Sequence, residues 1–300
     1  MPEGDTVWLA GRRLHDALAG ARLTRSDFRV PQLATADLTG RTVTEVVSRG
    51  KHLLTRVDDD LTLHTHFRMD GSWHLYRHGD RWRGGPQWQV RVLLETVDWQ
   101  AVGYRLPVVE LLPRDREDDA VGHLGPDILG PDWDPVEAVA RLVAQPDREI
   151  GDALLDQRNL AGVNIDSDTG PPPGEVEAVR RLKAQPNREI GDALLNQRNL
   201  AGIGNLYKAE TLFLERVSPW RHIADIEDLG AIARRARRLL WINREHSWQV
   251  TTGINRRGQE HWVFERSGRP CRRCGTPIRS ASQGSPPYDR LTYWCPTCQR

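Results

Sequence analysis

Lysine is all but missing from this chain. Of its 42 basic side chains only Lys51, Lys183 and Lys208 are lysines, and the rest are arginines. A GC-rich genome, whose codons favour arginine, is the plainest reading of that bias. Methionine, with two residues, and cysteine, with four, are also scarce. No apolar run approaches the roughly 18 residues of a membrane-spanning helix, which excludes one. The first residues, MPEGDTVW, carry neither a basic stretch nor an apolar core, so no secretory signal is expected and the chain is read as cytoplasmic. In such a reducing setting four cysteines point to a metal before disulfides. Net charge is nearly absent too, at +1.

What is present is an ordinary globular composition, 38% hydrophobic and 28% charged, over 300 residues. That length suggests about two domains and is ample for a core. The small net charge is a cancellation. From Leu229 to Arg300 fourteen arginines stand against four carboxylates, so this stretch is strongly positive and the preceding part negative. A basic third on a neutral protein is the footprint of a polyanion-binding surface, or else an arginine-laced solvated face.

Asp5–Leu18 reads as a helix capped by Asp5 or Thr6, with Val7, Ala10, Leu14 and Leu18 on one stripe. From Ala21 to Pro113 the segments VTEVV, HLLTRV, LTLHTHF, WHLY, WQVRVLLETV and VVELL read as strands of an antiparallel sandwich or barrel. GPDILGPDWDP, residues 125–135, reads as a linker. The chain then turns helical and repeats itself: Glu137–Gly162 and Glu177–Gly202 match at all but four positions. Two copies make a poor solenoid. They point to a recent tandem duplication, or to an error in assembling the sequence. Only the second copy runs on into GIGNLYKAE, and Leu229–Trp241 follows as an amphipathic helix.

Cys271-x2-Cys274 and Cys295-x2-Cys298 place four thiolates on two tight turns, the pattern of a closed, structural Zn2+ site; two disulfides are the alternative. If Met1 is removed, Pro2 becomes a terminal secondary amine able to attack an aldehyde-level carbon, and Glu3 beside it can transfer protons. Lys51, at a turn into a strand, suits a phosphate contact or acid–base work, or is merely a surface lysine. Met69 on a strand tip can wedge into a base stack or fill core. Gly202 and Gly204 permit a tight turn with Asn205 as helix cap, a phosphate site or an ordinary helical corner.

Pro2-Glu3-Gly4, RGK at 49–51, HFRMDG at 66–71, LGPD at 124–127, QRNLAGIGN at 197–205 and the cysteine pairs around RLTYWCPTCQ stand in one order. Together they resemble the formamidopyrimidine-DNA glycosylase and endonuclease VIII family over essentially the whole chain, nearer its actinobacterial endonuclease VIII-like branch. The resemblance implies an α+β multidomain fold: an N-terminal β-sandwich with a flanking helix (1–125), a linker with the incomplete repeat (126–176), a helix–two-turn–helix domain (177–262) and a zinc-finger hairpin (263–300). It implies Pro2 as nucleophile at deoxyribose C1′, Glu3 as proton donor, Lys51 in β-elimination and phosphate contact, and Arg290 in phosphate binding and δ-elimination. Met69 would occupy the void left by a flipped base, with Arg68 and Asp70 flanking it, and Asn205 would hold backbone phosphate, with Gly204 also at the DNA. One structural Zn2+, double-stranded damaged DNA as partner and a monomer are expected. The short stretch Thr251–Val263 points to oxidised pyrimidines, with formamidopyrimidine or oxidised guanine second. A non-catalytic DNA-binding zinc protein and a tautomerase-like enzyme are the competing readings.

Overall fold

The computed structural model describes residues 2–130, 133 and 171–300, which fall into two compact units, Met1–Leu124 and Gly125–Arg300. The first copy of the repeat, 137–162, lies outside the described residues.

In the first unit, helix α1 (Gly4–Leu18) packs beside two antiparallel four-stranded sheets. Its N-cap position falls to Glu3 rather than to Asp5 or Thr6. One sheet, in the order β1-β6-β7-β5, joins β1 (Arg25–Phe28), β6 (Val90–Glu95), β7 (Trp99–Tyr104) and β5 (Ser72–Arg77). The other, β2-β3-β4-β8, joins β2 (Val43–Arg49), β3 (His52–Val57), β4 (Leu61–His66) and β8 (Val108–Pro113). The expected sandwich is present. Two strands escape the sequence pattern. β1 is a four-residue edge strand, and β7 alternates weakly because its Gly103 leaves room for Leu106 and Trp73. The segment WQVRVLLETV is strand only over Val90–Glu95.

Period-two alternation sorts β3 and β4 cleanly. Leu53, Thr55 and Val57 pair with Thr65, Leu63 and Leu61 on the face that meets Val7, Leu14 and Leu18 of α1 in the core. His52, Leu54 and Arg56 pair with His66, His64 and Thr62 on the opposite face. There Glu117 of the short helix α2 (Glu117–Val121) receives Arg56 Nε and Nη2 at 2.9 and 2.8 Å.

The second unit contains α3 (Pro173–Lys183), α4 (Ile190–Leu195), α5 (Asn205–Leu214), α6 (Leu229–Asn243) and the hairpin β9 (Arg279–Gln283) and β10 (Arg290–Trp294). Leu182, Leu194, Tyr207, Phe213, Ala236 and Leu240 form its buried interior. Of the stretch 125–135, read from the sequence as a linker, residues 125–130 and 133 are described, and 125–129 pack closely. They are buried, Asp127 bridges to Ala201, and Arg237 Nη1 donates to Ile128 O at 2.6 Å. The reason is hydrogen-bond supply: this Pro/Gly/Asp stretch has few internal partners, and carbonyls buried without one are costly. Helix α3 begins at Pro173, ahead of the expected boundary at 177, because Glu175 is buried against Arg234 and Gly174 sits where a Cβ would lie 2.4 Å from Trp133 Nε1.

Glu210 on α5 is the polar hub of this unit. Fully buried, it accepts the backbone N–H groups of Trp262, Val263 and Phe264 at 2.8–2.9 Å and the hydroxyl of Thr251. One carboxylate so folds the chain between α6 and the cysteines back onto α5.

Two outcomes follow for stability. Deleting Glu137–Val176 joins Asp134-Pro135-Val136 to Glu177, supplying an Asp cap and an N1 proline while removing Glu175; folding and DNA binding are expected to persist with a loss of about 1 kcal/mol, and abolished binding in a gel-shift assay would contradict this. Glu210→Gln is expected to lower stability by about 2–4 kcal/mol in urea unfolding, because one of two buried acceptor oxygens becomes an NH2 donor facing N–H and O–H groups it cannot satisfy.

Candidate active site and nucleic-acid interface

In the first unit Pro2 is partly exposed and Glu3 fully buried at the head of α1. The dipole of that helix favours a negative charge at this end. Lys51 lies with Gly50 in a two-residue β2–β3 turn closed by the Arg49–His52 pair. Gly50 has φ of 59°, the first central position that such a hairpin reserves for glycine. The turn therefore fixes where the Lys51 side chain starts.

Phe67–Gly71 forms a second tip. Gly71 N–H donates to Phe67 O at 2.8 Å, and a Cβ on Gly71 would lie 2.7 Å from that oxygen. Arg68, at φ 46°, Met69 and Asp70 are exposed, with Met69 60% accessible. Methionine thus projects into solvent and does not fill core. Arg105 braces the tip from below, donating Nε–H to Asp70 O at 3.0 Å and bonding Gln89 through Nη1.

Beside Lys51 lies a cluster of imidazoles. His52 Nδ1 is 2.8 Å from His64 Nε2, and His64 Nδ1 is 2.9 Å from Glu110 Oε2. Burial, then His66, His64, His123 and Lys51, depress His52 to about 3. Burial, then Lys51, depress His66 to about 4. Both rings are therefore neutral near pH 7, beside an ammonium.

In the second unit the GIGN turn places Gly204, not Asn205, at the N-cap of α5. Asn205 is the first helical residue, and its Nδ2 donates to Leu291 O of β10 at 2.8 Å. Gly202, at φ 106°, supplies the turn. Helix start and hairpin are so tied together, which brings Asn205 beside the strand carrying Arg290. Arg290 is exposed, with Nη1 donating to Asp289 O at 2.9 Å. Two exposed hydrophobic side chains, Tyr288 and Leu291, flank it.

The ligand atoms of Cys271, Cys274, Cys295 and Cys298 lie within 4.8 Å of one another, and none is in a disulfide. Sulfur separations of 3.4 Å (Cys274–Cys295) and 4.0 Å (Cys271–Cys298) bracket the about 3.8 Å edge of a tetrahedral Zn–S4 site with 2.3 Å bonds. Hydrogen bonding from Thr276 draws the Cys274 thiol down to about 6, whereas burial and neighbouring thiols push Cys298 up to about 12. The donor set fits one Zn2+, closed and structural, whose binding displaces the remaining thiol protons.

Three family descriptions match in register with this geometry: the formamidopyrimidine-DNA glycosylase N-terminal domain over residues 1–105, the H2TH domain of the same glycosylases over 172–241, and the zinc finger found in FPG and IleRS over 268–300. A curated relative in Streptomyces coelicolor, "Probable endonuclease 8 2", is 51% identical over 100% of this chain and 94% of its own length. The chain belongs to the formamidopyrimidine-DNA glycosylase and endonuclease VIII family. The "DNA-(apurinic or apyrimidinic site) lyase Nei2" of Mycolicibacterium smegmatis is 40% identical over 100% of this chain and 99% of its own. A solved structure, the Lactococcus lactis Fpg with abasic-site DNA, superposes with a TM-score of 0.72 at 20% identity, covering 100% of both chains; at that identity it shows the shared fold.

Within this family fold, sequence reasoning missed the buried polar residues. Lys208, Thr292 and Gln283 are almost fully buried, and Lys208 Nζ donates to Thr292 Oγ1 at 2.6 Å. The signal for Lys208 was present, since it is one of three retained lysines. The imidazole cluster was legible only as alternation, His52 against His64 and His66 on paired strands. Stripping zinc with a chelator, or Cys298→Ser, is expected to unfold residues 271–298 while leaving the sandwich intact, read as a loss of hairpin amide protection in hydrogen exchange with protection of β3 and β4 unchanged.

Proposed function

We propose that this chain is a bifunctional DNA glycosylase and abasic-site lyase of base excision repair. In this reading it acts as a cytoplasmic monomer on double-stranded DNA and favours oxidised pyrimidines. The observation that carries the reading is Pro2 next to the buried Glu3 at the head of α1. A secondary amine and a carboxyl group at one position are the two parts that imine chemistry on a sugar requires.

A damaged base inside a duplex must leave the stack before its glycosidic bond is reachable. The exposed Met69, with Arg68 and Asp70, is suited to occupy the space it leaves. The Pro2 nitrogen attacks C1′ of the deoxyribose as the bond to the base breaks; the base departs with the bonding pair, and the proton shed by the attacking amine balances the one the base takes up. A proton from Glu3 to the ring oxygen lets the sugar open and the iminium form. That cation acidifies C2′. Loss of the C2′ proton drives out the 3′ phosphate in β-elimination, and a second elimination expels the 5′ phosphate. Lys51 and Arg290 are assigned to these phosphates, and Gly204 and Asn205, at the start of α5, to the neighbouring backbone, where helix amides attract anions. Zn2+ supplies no chemistry to these steps; it holds the hairpin that presents Arg290.

Preference for oxidised pyrimidines is supported by the shortness of the loop after α6. Thr251 and Thr252 N–H groups both reach Glu260 O, at 2.9 and 3.2 Å, so the intervening residues close on themselves and leave little chain to cover a purine.

Borohydride reduction on duplexes carrying an abasic site, an oxidised pyrimidine or an oxidised guanine tests this. The expected result is a covalent adduct mapped by mass spectrometry to Pro2, formed faster on the oxidised pyrimidine than on the oxidised guanine. Pro2→Gly is expected to lower base removal at least about a hundredfold. Salt-sensitive binding without any adduct would leave a non-catalytic DNA-binding protein. Activity on small carbonyl acids alone would leave a tautomerase.

A further inference from the structure

The tip that carries Met69 stands at one end of a sheet, and that end displays a second large apolar side chain that the steps above do not use. The register puts it there: Tyr104 of β7 pairs with Ser72 of β5 on one side and with Val90 of β6 on the other. Three connections therefore meet at this edge. The Phe67–Gly71 tip leads into β5, the turn Gln87–Gln89 leads into β6, and Arg105 leaves β7. Trp88 is the middle residue of that turn and is 73% accessible, more than Met69.

A lone exposed hydrophobic residue is ordinary; what sets this one apart is how firmly its backbone is held. Each carbonyl of the turn accepts from an arginine: Gln87 O from Arg29 Nη1 at 3.3 Å, Trp88 O from Arg91 Nη1 at 2.9 Å, and Gln89 O from the Arg105 backbone N–H at 2.8 Å. Arg105 is shared with the other tip. Its Nε–H donates to Asp70 O at 3.0 Å and its Nη1 to Gln89 Oε1, so one residue, itself at φ 48°, ties the Met69 tip to the Trp88 turn. Gly85, at φ 152°, keeps this junction open, since a Cβ there would lie 2.7 Å from Gln89 Oε1 and 3.2 Å from Arg105 Nη1. The chain just before is anchored as well, with the Arg83 and Gly84 N–H groups donating to Tyr76 Oη at 2.9 and 2.8 Å. Its charge is also distinctive. Residues 77–91 hold Arg77, Arg81, Arg83 and Arg91 against Asp80 alone, inside the part of the chain whose net charge is negative.

We propose that Trp88 is a second duplex contact beside Met69, an indole that packs on the sugars and base edges next to the extruded nucleotide, and that Arg105 is the positioning residue for both. Arginines interleaved with an exposed aromatic ring are the surface a nucleic acid recognises. Stacking and packing on an indole are indifferent to sequence, because every nucleotide offers an apolar face. A ring whose backbone is already fixed gives up little freedom on binding. Arg105 acts through its neighbours: its Nε and Nη1 donors are turned to Asp70 and Gln89 rather than outward. This rests on the reading of the Arg68–Asp70 tip as facing DNA.

The test measures the affinity of the full chain for a duplex carrying a tetrahydrofuran abasic analogue, which binds without forming an imine, across a series of salt concentrations. Trp88→Ala is expected to weaken binding about tenfold. The slope of log Kd against log salt is expected to stay as in wild type, because no cation is removed. Trp88→Phe, which keeps an aromatic face, is expected to bind within about threefold of wild type. Arg105→Met is expected to weaken binding at least as much as Trp88→Ala with the slope again unchanged, and adding Trp88→Ala to it is expected to cost less than about threefold more, since the two act as a unit. A Trp88→Ala variant that binds as wild type does would overturn the proposal, and altered sedimentation of that variant would then assign the indole to a protein partner. Equal losses in Trp88→Ala and Trp88→Phe with lowered thermal stability would overturn it too, as a structural role. A slope reduced by about one in Arg105→Met would make that arginine a phosphate contact and overturn its positioning role. Wild-type protein that binds this duplex yet gives no borohydride adduct on an abasic site would instead strike the glycosylase–lyase reading and leave the contact standing.

Discussion

A line of hydrogen bonds, buried except at its Glu189 end, seats the zinc hairpin on the helices of the second unit. Lys208 Nζ donates to Thr292 Oγ1, Thr292 donates to Gln283 Oε1 at 3.0 Å, and Gln283 Nε2 donates to Glu189 Oε2 at 2.9 Å and to Pro219 O at 2.7 Å. An ammonium at one end and a carboxylate at the other are joined through a hydroxyl and an amide, each donating in the same sense. A buried ammonium without such partners would be prohibitive to desolvate. The line runs from α5 through both strands of the zinc hairpin to the turn before α4, so the hairpin's place on the helices is fixed by polarity as much as by packing. Gly191 marks how closely they approach, since a Cβ there would lie 2.3 Å from Gln283 Oε1.

Local pattern made the sandwich, α1, α6 and the cysteine cluster readable, because each depends on periodicity or on ligand spacing. The tip at Arg68–Asp70 was readable as a turn before Asp-Gly, yet whether Met69 faced core or solvent depended on the close Phe67–Gly71 approach, which no pattern encodes. Asn205 was misplaced by one position for a similar reason. Its amide is drawn to Leu291 O, a partner far along the chain, so the cap falls to Gly204. At 125–129 composition signalled irregular backbone correctly but not its burial: Gly, Pro and Asp stretches can be buried as well as exposed when arginine supplies the missing donors.

Those arginines also recast the charge asymmetry. On α6, Arg234 bonds Glu175, Arg235 bonds Glu215 at 2.6 Å, and Arg237 donates to the carbonyls of Ile128 and Trp133. Farther on, Arg272 caps the carbonyls of His261 and Gly258, and Arg273 lies 4.5 Å over the Phe213 ring. Part of the positive excess is therefore structural. A planar group with five donors can serve several backbone oxygens where a lysine serves as a point charge, which gives the arginine bias a use inside the protein. The surface share of the excess narrows to side chains such as Arg279 and Arg290 on the hairpin.

The line from Lys208 to Glu189 has a further consequence in ionic strength. Its lysine end and the two neutral groups that follow are buried inside the protein, where salt screens little. Contacts between surface arginines and phosphate weaken steeply as salt rises, because bound counterions are no longer released at a gain. Rising salt should then separate this protein from a polyanion while the hairpin stays seated on its helices, so that letting go and regripping need no refolding.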